Sequence, residues 1–261
     1  MIKLSIIIPS YKDPLVNKTV EDLLMKSELG KDEIEIIVVY DGYWGTPIQD
    51  SRVRYIHLGA NQGMRRAINA GVRIARGEFL MRNDEHQIYG KGYDRIMVES
   101  CEPNWIMTPR RYFLDPVKWE VMDLPPVDYM KLKIQNVGEG VRKFAGVPWD
   151  RPDRKDIMID ETQAMQGSCW FMPHKWWDDV IGELQNEGYG PHYQDSHEML
   201  FKTWKAGGKL MVNKNTWHAH KHRSFPRTHS NGTVDNPSNN EACWTYSLSV
   251  WEDYYNELKL S

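Results

Sequence analysis

The chain has few cysteines, no long apolar run and no strong charge of either sign, and each shortage removes a class of protein. Its three cysteines, Cys101, Cys169 and Cys243, are an odd number at wide, unpatterned spacing. That argues against a disulfide framework or a zinc knuckle and predicts free thiols in a reducing compartment. No apolar stretch approaches the ~20 residues that a membrane-spanning helix requires. The formal net charge is −3, so no global basic field draws the chain to nucleic acid, although a local basic patch stays open. The N-terminus enters an apolar strand with no signal peptide in front, and the expected location is cytoplasmic. Aromatic residues, by contrast, are abundant: 11 Trp and 13 Tyr among 261 residues.

The hydrophobic pattern predicts an α/β fold. Lys3–Pro9 and Glu35–Tyr40 are near-continuous β-branched runs without alternation, as expected of parallel strands buried on both faces. Between and after them, 17–29 and 63–75 have the spacing of amphipathic helices, 54–58 reads as a strand, and 79–81 is a short apolar strand. This order indicates a parallel sheet with right-handed crossovers, a nucleotide-binding type of domain. From 109 to 163 the pattern dissolves into charged and aromatic residues punctuated by proline, which predicts a long variable insertion. Order returns with a strand over 164–172, helices over 174–184 and 195–206, and a strand over 209–213 leading into 216–223. A polar stretch follows, then a helix over 241–258 with a packing stripe of Trp244, Leu248, Trp251 and Tyr255. The expected organisation is one domain over 1–261. It divides into a nucleotide-binding half (1–108), the insertion (109–163) and an acceptor-side half (164–261) with a mobile loop at 224–240.

Two polar clusters end predicted strands. Asn83-Asp-Glu-His86 closes the strand at 79–81, and ligands bind past the carboxyl ends of strands in open α/β sheets. Asp84 and His86, two residues apart on extended chain, can point the same way and hold one divalent cation of the Mn²⁺ or Zn²⁺ type. A solvated polar turn is the plainer account of that tripeptide. His218, His220 and His222 alternate at the second strand end. Together the clusters supply a three-ligand metal site with open positions, as a Lewis-acid catalyst needs.

Several motifs, in this order, resemble the GT-A fold glycosyltransferases of family 2. They are Ser5-Ile-Ile-Ile-Pro-Ser-Tyr11, Val38-Val-Tyr-Asp-Gly42, Asn61-Gln-Gly-Met64 with Asn69-Ala-Gly71, and Arg76-Gly-Glu-Phe-Leu80. Asp84-Glu-His86 is similar to the D-x-H of the polypeptide N-acetylgalactosaminyltransferases. The segment Phe201–Gly208 with Glu198, and His220–Arg223 with Phe225-Pro226, extend that likeness. The resemblance covers about residues 3–86 and 164–226. It implies a UDP-sugar donor carrying GalNAc, GlcNAc, Glc or Gal. Pro9, Ser10 and Tyr11 would lie at the uridine, Asp41 at the uracil or ribose, and Arg66 close to the nucleotide, with Asn83 in the same substrate-contacting set. Asp84, His86 and His220 would hold Mn²⁺ (or Mg²⁺), and Arg223 would contact the departing diphosphate. Gly167 and Ser168 would line the sugar pocket. Asp195 would be the acidic residue at the reacting centre, unless it only caps the helix that follows.

Departures from the family pattern leave the mechanism open. Ser196 stands where inverting members carry the second acid, so base-assisted inversion and front-side retention both remain. His192, counted with the substrate-contacting residues, replaces a Trp, and Ile68 replaces an Arg. The acceptor is expected to be read by 109–163. Its interleaved basic and aromatic residues suit a hydroxymethylated nucleobase in viral DNA, while a protein or a glycan is the alternative. A catalytically inactive sugar-nucleotide binding protein and a hydrolase metal centre are the competing functions.

Overall fold

The computed structural model describes residues 1–190, 193–221 and 237–260, the side chains of 237–239 excepted. In chain order the first half comprises β1 (Leu4–Ser10), α1 (Val16–Lys26), β2 (Ile34–Asp41), β3 (Val53–Leu58), α2 (Met64–Ile74), β4 (Phe79–Asn83), β5 (Gln87–Tyr89) and α3 (Tyr93–Ser100). The middle holds β6 (Trp105–Asp115), β7 (Glu120–Val121), β8 (Met130–Gly138), β9 (Val141–Pro148), a 3₁₀ turn and β10 (Ile159–Glu161). Then come β11 (Cys169–Pro173), α4 (His174–Trp176) running into a π-turn (Trp177–Ile181), α5 (Asp195–Lys205), β12 (Lys209–His220) and α6 (Pro237–Glu257).

The main sheet runs β10-β12-β6-β11-β4-β1-β2-β3, with β5 added to β12 and β7 to β6. Pairings β1–β2, β1–β4, β2–β3 and β6–β12 are parallel, whereas β11 is antiparallel to β4 and β6. Every residue of β1 and β2 is buried, and alternation sends them to opposite faces. Ile7, Ile37 and Val39 pack with Ala67, Ile68 and Val72 of α2. Leu4, Ile6, Ile8, Ile36 and Val38 pack with Val16, Val20 and Leu23 of α1. Helices therefore cover both faces, the arrangement the unalternating runs predict.

The segment over 109–163 is more ordered than its composition suggests. Residues 109–113 belong to β6 and pair with β12, so the central sheet continues into it. Met130–Pro148 folds as a β8–β9 hairpin that sends Leu132 and Phe144 into the main core. The helix expected over 174–184 ends at Ile181 because Gly182 turns left-handed, with φ 63°. In α6, Leu248 is buried and Trp251 stacks on Phe201 with ring centroids 5.3 Å apart. Trp244 leaves that packing stripe and lines a cleft instead.

Gly71 shows how closely α2 approaches the sheet: a Cβ there would lie 2.5 Å from Ile7 Cγ2 and 3.3 Å from Val39 Cγ2. Ala is the better helix former by about 1 kcal/mol, but overpacking costs about 1–3 kcal/mol. Gly71→Ala is expected to lower stability by about 1 kcal/mol, read as a lower urea midpoint at unchanged m. A raised midpoint would show that α2 can lift off at no cost.

Candidate active site

The D-x-H turn follows β4 and is fixed on three sides. From α1, Thr19 Oγ1 donates to the carbonyl of Glu85 (3.1 Å) and accepts from the amide of Gln87 (3.0 Å). Towards β11, the Asp84 amide and Gln87 Nε2 both donate to the carbonyl of Ser168, at 3.0 and 2.9 Å. From the end of β1, the Tyr11 amide donates to Glu85 Oε2 (3.0 Å). The β5–β12 register, His220 opposite Gln87, then brings His220 to the turn across 136 residues of sequence.

Asp84, His86 and His220 converge, with ligating atoms all within 4.8 Å of one another. His220 Nε2 lies 3.1 Å from Asp84 Oδ2. His86 Nδ1 is engaged by Asp13 Oδ2 at 2.9 Å, which fixes the ring and leaves Nε2 for an ion, the usual support for a ligating imidazole. Arg82, buried two residues before Asp84, donates from Nη2 to Asp84 Oδ1 at 2.6 Å. Burial opposes ionisation of Asp84, but Arg82, His220 and His86 outweigh it and hold the carboxyl well below the usual carboxylate range. One carboxylate and two imidazoles with open positions fit a divalent cation of intermediate hardness. His218 does not join them. It is buried against Tyr89 with ring centroids 5.9 Å apart, and burial pushes its pKa far down.

Asp84 and His220 face a cleft of about 500 Å³ that Gly167, Ser168 and Asp195 also line. Asp195 is the first residue of α5, and the cap position is Gln194, whose side chain makes no cap bond. Tyr193 and Gln194 are both left-handed, with φ 66° and 54°, an uncommon pair for residues with side chains. Gly167 makes room for the carboxylate: a Cβ there would lie 2.8 Å from Asp195 Oδ2. Several sheltered polar atoms of the lining have no hydrogen-bond partner among the described residues: Gln166 Oε1, Ser168 Oγ, Gln194 Oε1, Asp195 Oδ2 and both ring nitrogens of His197. Buried polar atoms are rarely left unpaired, so their concentration around one cavity marks a site for a polar ligand. Burial pushes His197 down to about 4, so the imidazole is neutral near pH 7.

Other expected contacts are placed differently. Both carboxylate oxygens of Asp41 accept backbone amides at the start of α2, from Gln62 (2.6 Å) and Gly63 (2.8 Å); burial pushes its pKa up. Asn83 is fully buried, held by Tyr89 and by the Asp84 carbonyl. It shapes the turn and is not among the cleft-lining residues. Ser10 is hydrogen-bonded to Tyr43, while Pro9 is buried beside it. Arg66 is exposed and outside the cleft lining. His192, Arg223 and His222 lie outside the described residues, as does 224–236 of the expected loop; 237–240 form the first turn of α6.

Residues not anticipated from sequence include Arg82, Asp13 and His197, whereas Lys143 and Phe144 of the hairpin, two of the interleaved basic and aromatic residues of 109–163, line the cleft. Arg82 was within reach of strand alternation, being two residues before Asp84. For Lys143 and Phe144 the composition is legible but the hairpin that carries them to the cleft is not. Arg65 was also missed. Fully buried, it pairs with Glu198 and donates to the carbonyls of Tyr193 (2.8 Å) and Gln185 (2.9 Å).

Residues 5–145 match the family model described as Glycosyl transferase family 2. Over 112 residues the chain is 31% identical to the uncharacterized glycosyltransferase EpsJ of Bacillus subtilis (strain 168), covering 38% of this chain and 30% of that protein. The structure superposes on a crystal structure of GalNAc-T7 with UDP, GalNAc and Mn²⁺ at TM-score 0.74 and 16% identity. That superposition covers 98% of this chain and 50% of the other, and shows a shared GT-A fold. This chain thus spans half or less of the length of both.

Arg65→Ala removes the guanidinium that pairs with the buried Glu198 carboxylate, with Lys202 left at 2.7 Å to compensate in part. Breaking a buried pair from one side typically costs about 3–5 kcal/mol. The variant is expected to lose about 3 kcal/mol in denaturant unfolding, and a loss below 1 kcal/mol would show that Lys202 suffices.

Proposed function

Because the chain belongs to glycosyl transferase family 2, we propose that it moves a sugar from a UDP-sugar to a hydroxyl acceptor with the help of a divalent cation. The observation that carries this reading is the convergence of Asp84, His86 and His220 at the rim of a cleft whose wall is rich in unpaired polar atoms. The GalNAc-T7 structure holds UDP, GalNAc and Mn²⁺ on the same fold, which supports Mn²⁺, or Mg²⁺, as the ion here. When bound, the cation neutralises charge that develops on the departing diphosphate.

The chain's own residues do the rest. Arg82 keeps Asp84 ionised and aimed, and Asp13 holds the His86 ring. Gly167, Ser168 and Asp195 orient the sugar by accepting its hydroxyls, in a wall fixed before the substrate arrives. The acceptor hydroxyl oxygen forms its bond to the anomeric carbon as the bond to the phosphate oxygen breaks; that bond's electron pair leaves with UDP, and the hydroxyl proton passes to Asp195 or to the departing diphosphate. Arg223, three residues past His220, is proposed to add a guanidinium contact to that diphosphate, and 224–236 to close over it. Pro9, Ser10 and Tyr11 remain proposed for the uridine side, next to the D-x-H turn that the Tyr11 amide supports. Free thiols at Cys101, Cys169 and Cys243 support a cytoplasmic location, and no helix among the described residues is long and apolar enough to cross a membrane.

A glycan acceptor has more support than a nucleobase in DNA. Basic residues of the 109–163 segment are engaged by acids: Arg110 with Asp128, Arg142 with Glu252 and Arg154 with Asp160, each at 2.5 Å. Those guanidinium groups are partly neutralised before any phosphate backbone could engage them.

The test is thermal melting against UDP and UDP-sugars with and without Mn²⁺. Ligand at 100 times its Kd stabilises by about 2.7 kcal/mol, an upward Tm shift of roughly 5–10 °C for a chain of this size. The shift is expected to require Mn²⁺ and to vanish in His86→Ala and His220→Ala; an equal shift in both variants would remove the triad from the reading. Asp195→Asn is expected to lower kcat by at least about tenfold with the UDP-induced shift retained. Unchanged turnover would place Asp195 away from the reacting sugar.

A further inference from the structure

A second cavity, of about 300 Å³, lies at the foot of the β8–β9 hairpin and takes no part in the chemistry above. Its walls are Pro126, Val127, Tyr129, Pro148 and Trp149, and its charged groups are Asp128, Asp150, Arg151 and Lys155. The Arg151 guanidinium lies 4.3 Å from the Trp149 ring centroid and 5.1 Å from that of Tyr129, and its Nη1 donates to the Glu161 carbonyl at 3.2 Å. Tyr129 is fixed in turn by its hydroxyl on Asp160 Oδ2 (2.8 Å) and by its carbonyl accepting the Trp149 amide (2.9 Å). The cavity is thus preformed from rigid parts, the Tyr129 and Trp149 rings among them.

We infer that this cavity is a subsite for a neutral oligosaccharide, the far end of an acceptor whose reacting hydroxyl sits in the transfer cleft. The acceptor role rests on the transferase reading; the saccharide site does not. Three observations converge. Flat aromatic and prolyl surface beside both hydrogen-bond donors and carboxylate acceptors suits a sugar, whose ring faces are apolar and whose edges carry hydroxyls. Two acids face two bases in the lining, so no net field selects a polyanion. Finally, the two cavities share one strand pair. Met130 and Gly146 line the cleft, while Tyr129 and Pro148 line the second cavity, and Met130 is the register partner of Pro148. One strand residue separates Gly146 from Pro148, a span of about 7 Å along β9 that a short oligosaccharide bridges.

The experiment applies the full chain and its Trp149→Ala and Asp150→Ala variants to a printed array of neutral and acidic oligosaccharides of increasing length. UDP with Mn²⁺ is run against the same three proteins in thermal melting. Retention of neutral oligosaccharides, strengthening with length and falling at least about tenfold in Trp149→Ala, is the expected result. Asp150 is exposed, so its truncation keeps the fold, and a weaker loss of the same glycans is expected there. No retention, retention of acidic glycans alone, or equal retention by all three proteins overturns the subsite. If glycans bind but UDP does not, the subsite stands and the transferase reading fails; UDP binding without glycans gives the reverse.

Discussion

The buried guanidinium of Arg65 is the constraint on which the cleft's geometry depends. One side chain on α2 pairs with Glu198 on α5 and takes the carbonyls of Gln185 and Tyr193, with the Tyr189 ring 4.2 Å from its Cζ. A charge taken wholly out of water is tolerable only when all its donors are matched, and here the matching groups come from the loop that aims Asp195. Helices α2 and α5 are thereby fixed to each other. The left-handed conformation at Tyr193 and Gln194, costly in isolation, is held by that pairing and by Gln194 Nε2 donating to the Phe144 carbonyl at 3.2 Å.

The triad depends on a different kind of constraint, strand register. Asp84 and His86 leave β4 at one end of the central sheet's parallel core, and His220 arrives on β12 only because β5 turns back to pair with it. A shift of one residue in that pairing would turn His220 to the other face. The irregularity in the β12–β6 ladder between Asn213 and Trp217 sets which face that is. Positioning of the proposed metal ligands is therefore a property of the sheet, while the hairpin supplies the opposite part of the cleft lining.

How much of this was legible in the sequence differs by element. The runs at Leu4–Ile8 and Ile34–Val39 announced strands buried on both faces because nothing in them alternates. The D-x-H and His220 were legible because residue type and strand end coincided. Arg66 was named through resemblance, whereas helical phase puts Arg65 with Ile68, Asn69 and Val72 on the buried face. β6 was not legible: Pro109, Arg110 and Arg111 read locally as loop, and the pairing with β12 makes them strand. The hairpin was hidden for a similar reason, since few of its side chains are buried and its stability comes from Leu132 and Phe144 meeting a core built elsewhere.

The position of β6 has a further consequence, in time rather than in space. Its neighbours in the sheet, β11 and β12, both lie downstream in the chain. During synthesis β6 emerges with both edges bare, and it waits for its partners while the first four strands can already pair. An unpaired strand in that state is a template for wrong partners. Pro109 interrupts the row of amide donors in its middle, and Arg110 and Arg111 add like charge beside it. The residues that disguise β6 as a loop are thus the ones that keep a nascent chain from joining it to its neighbour on the same messenger.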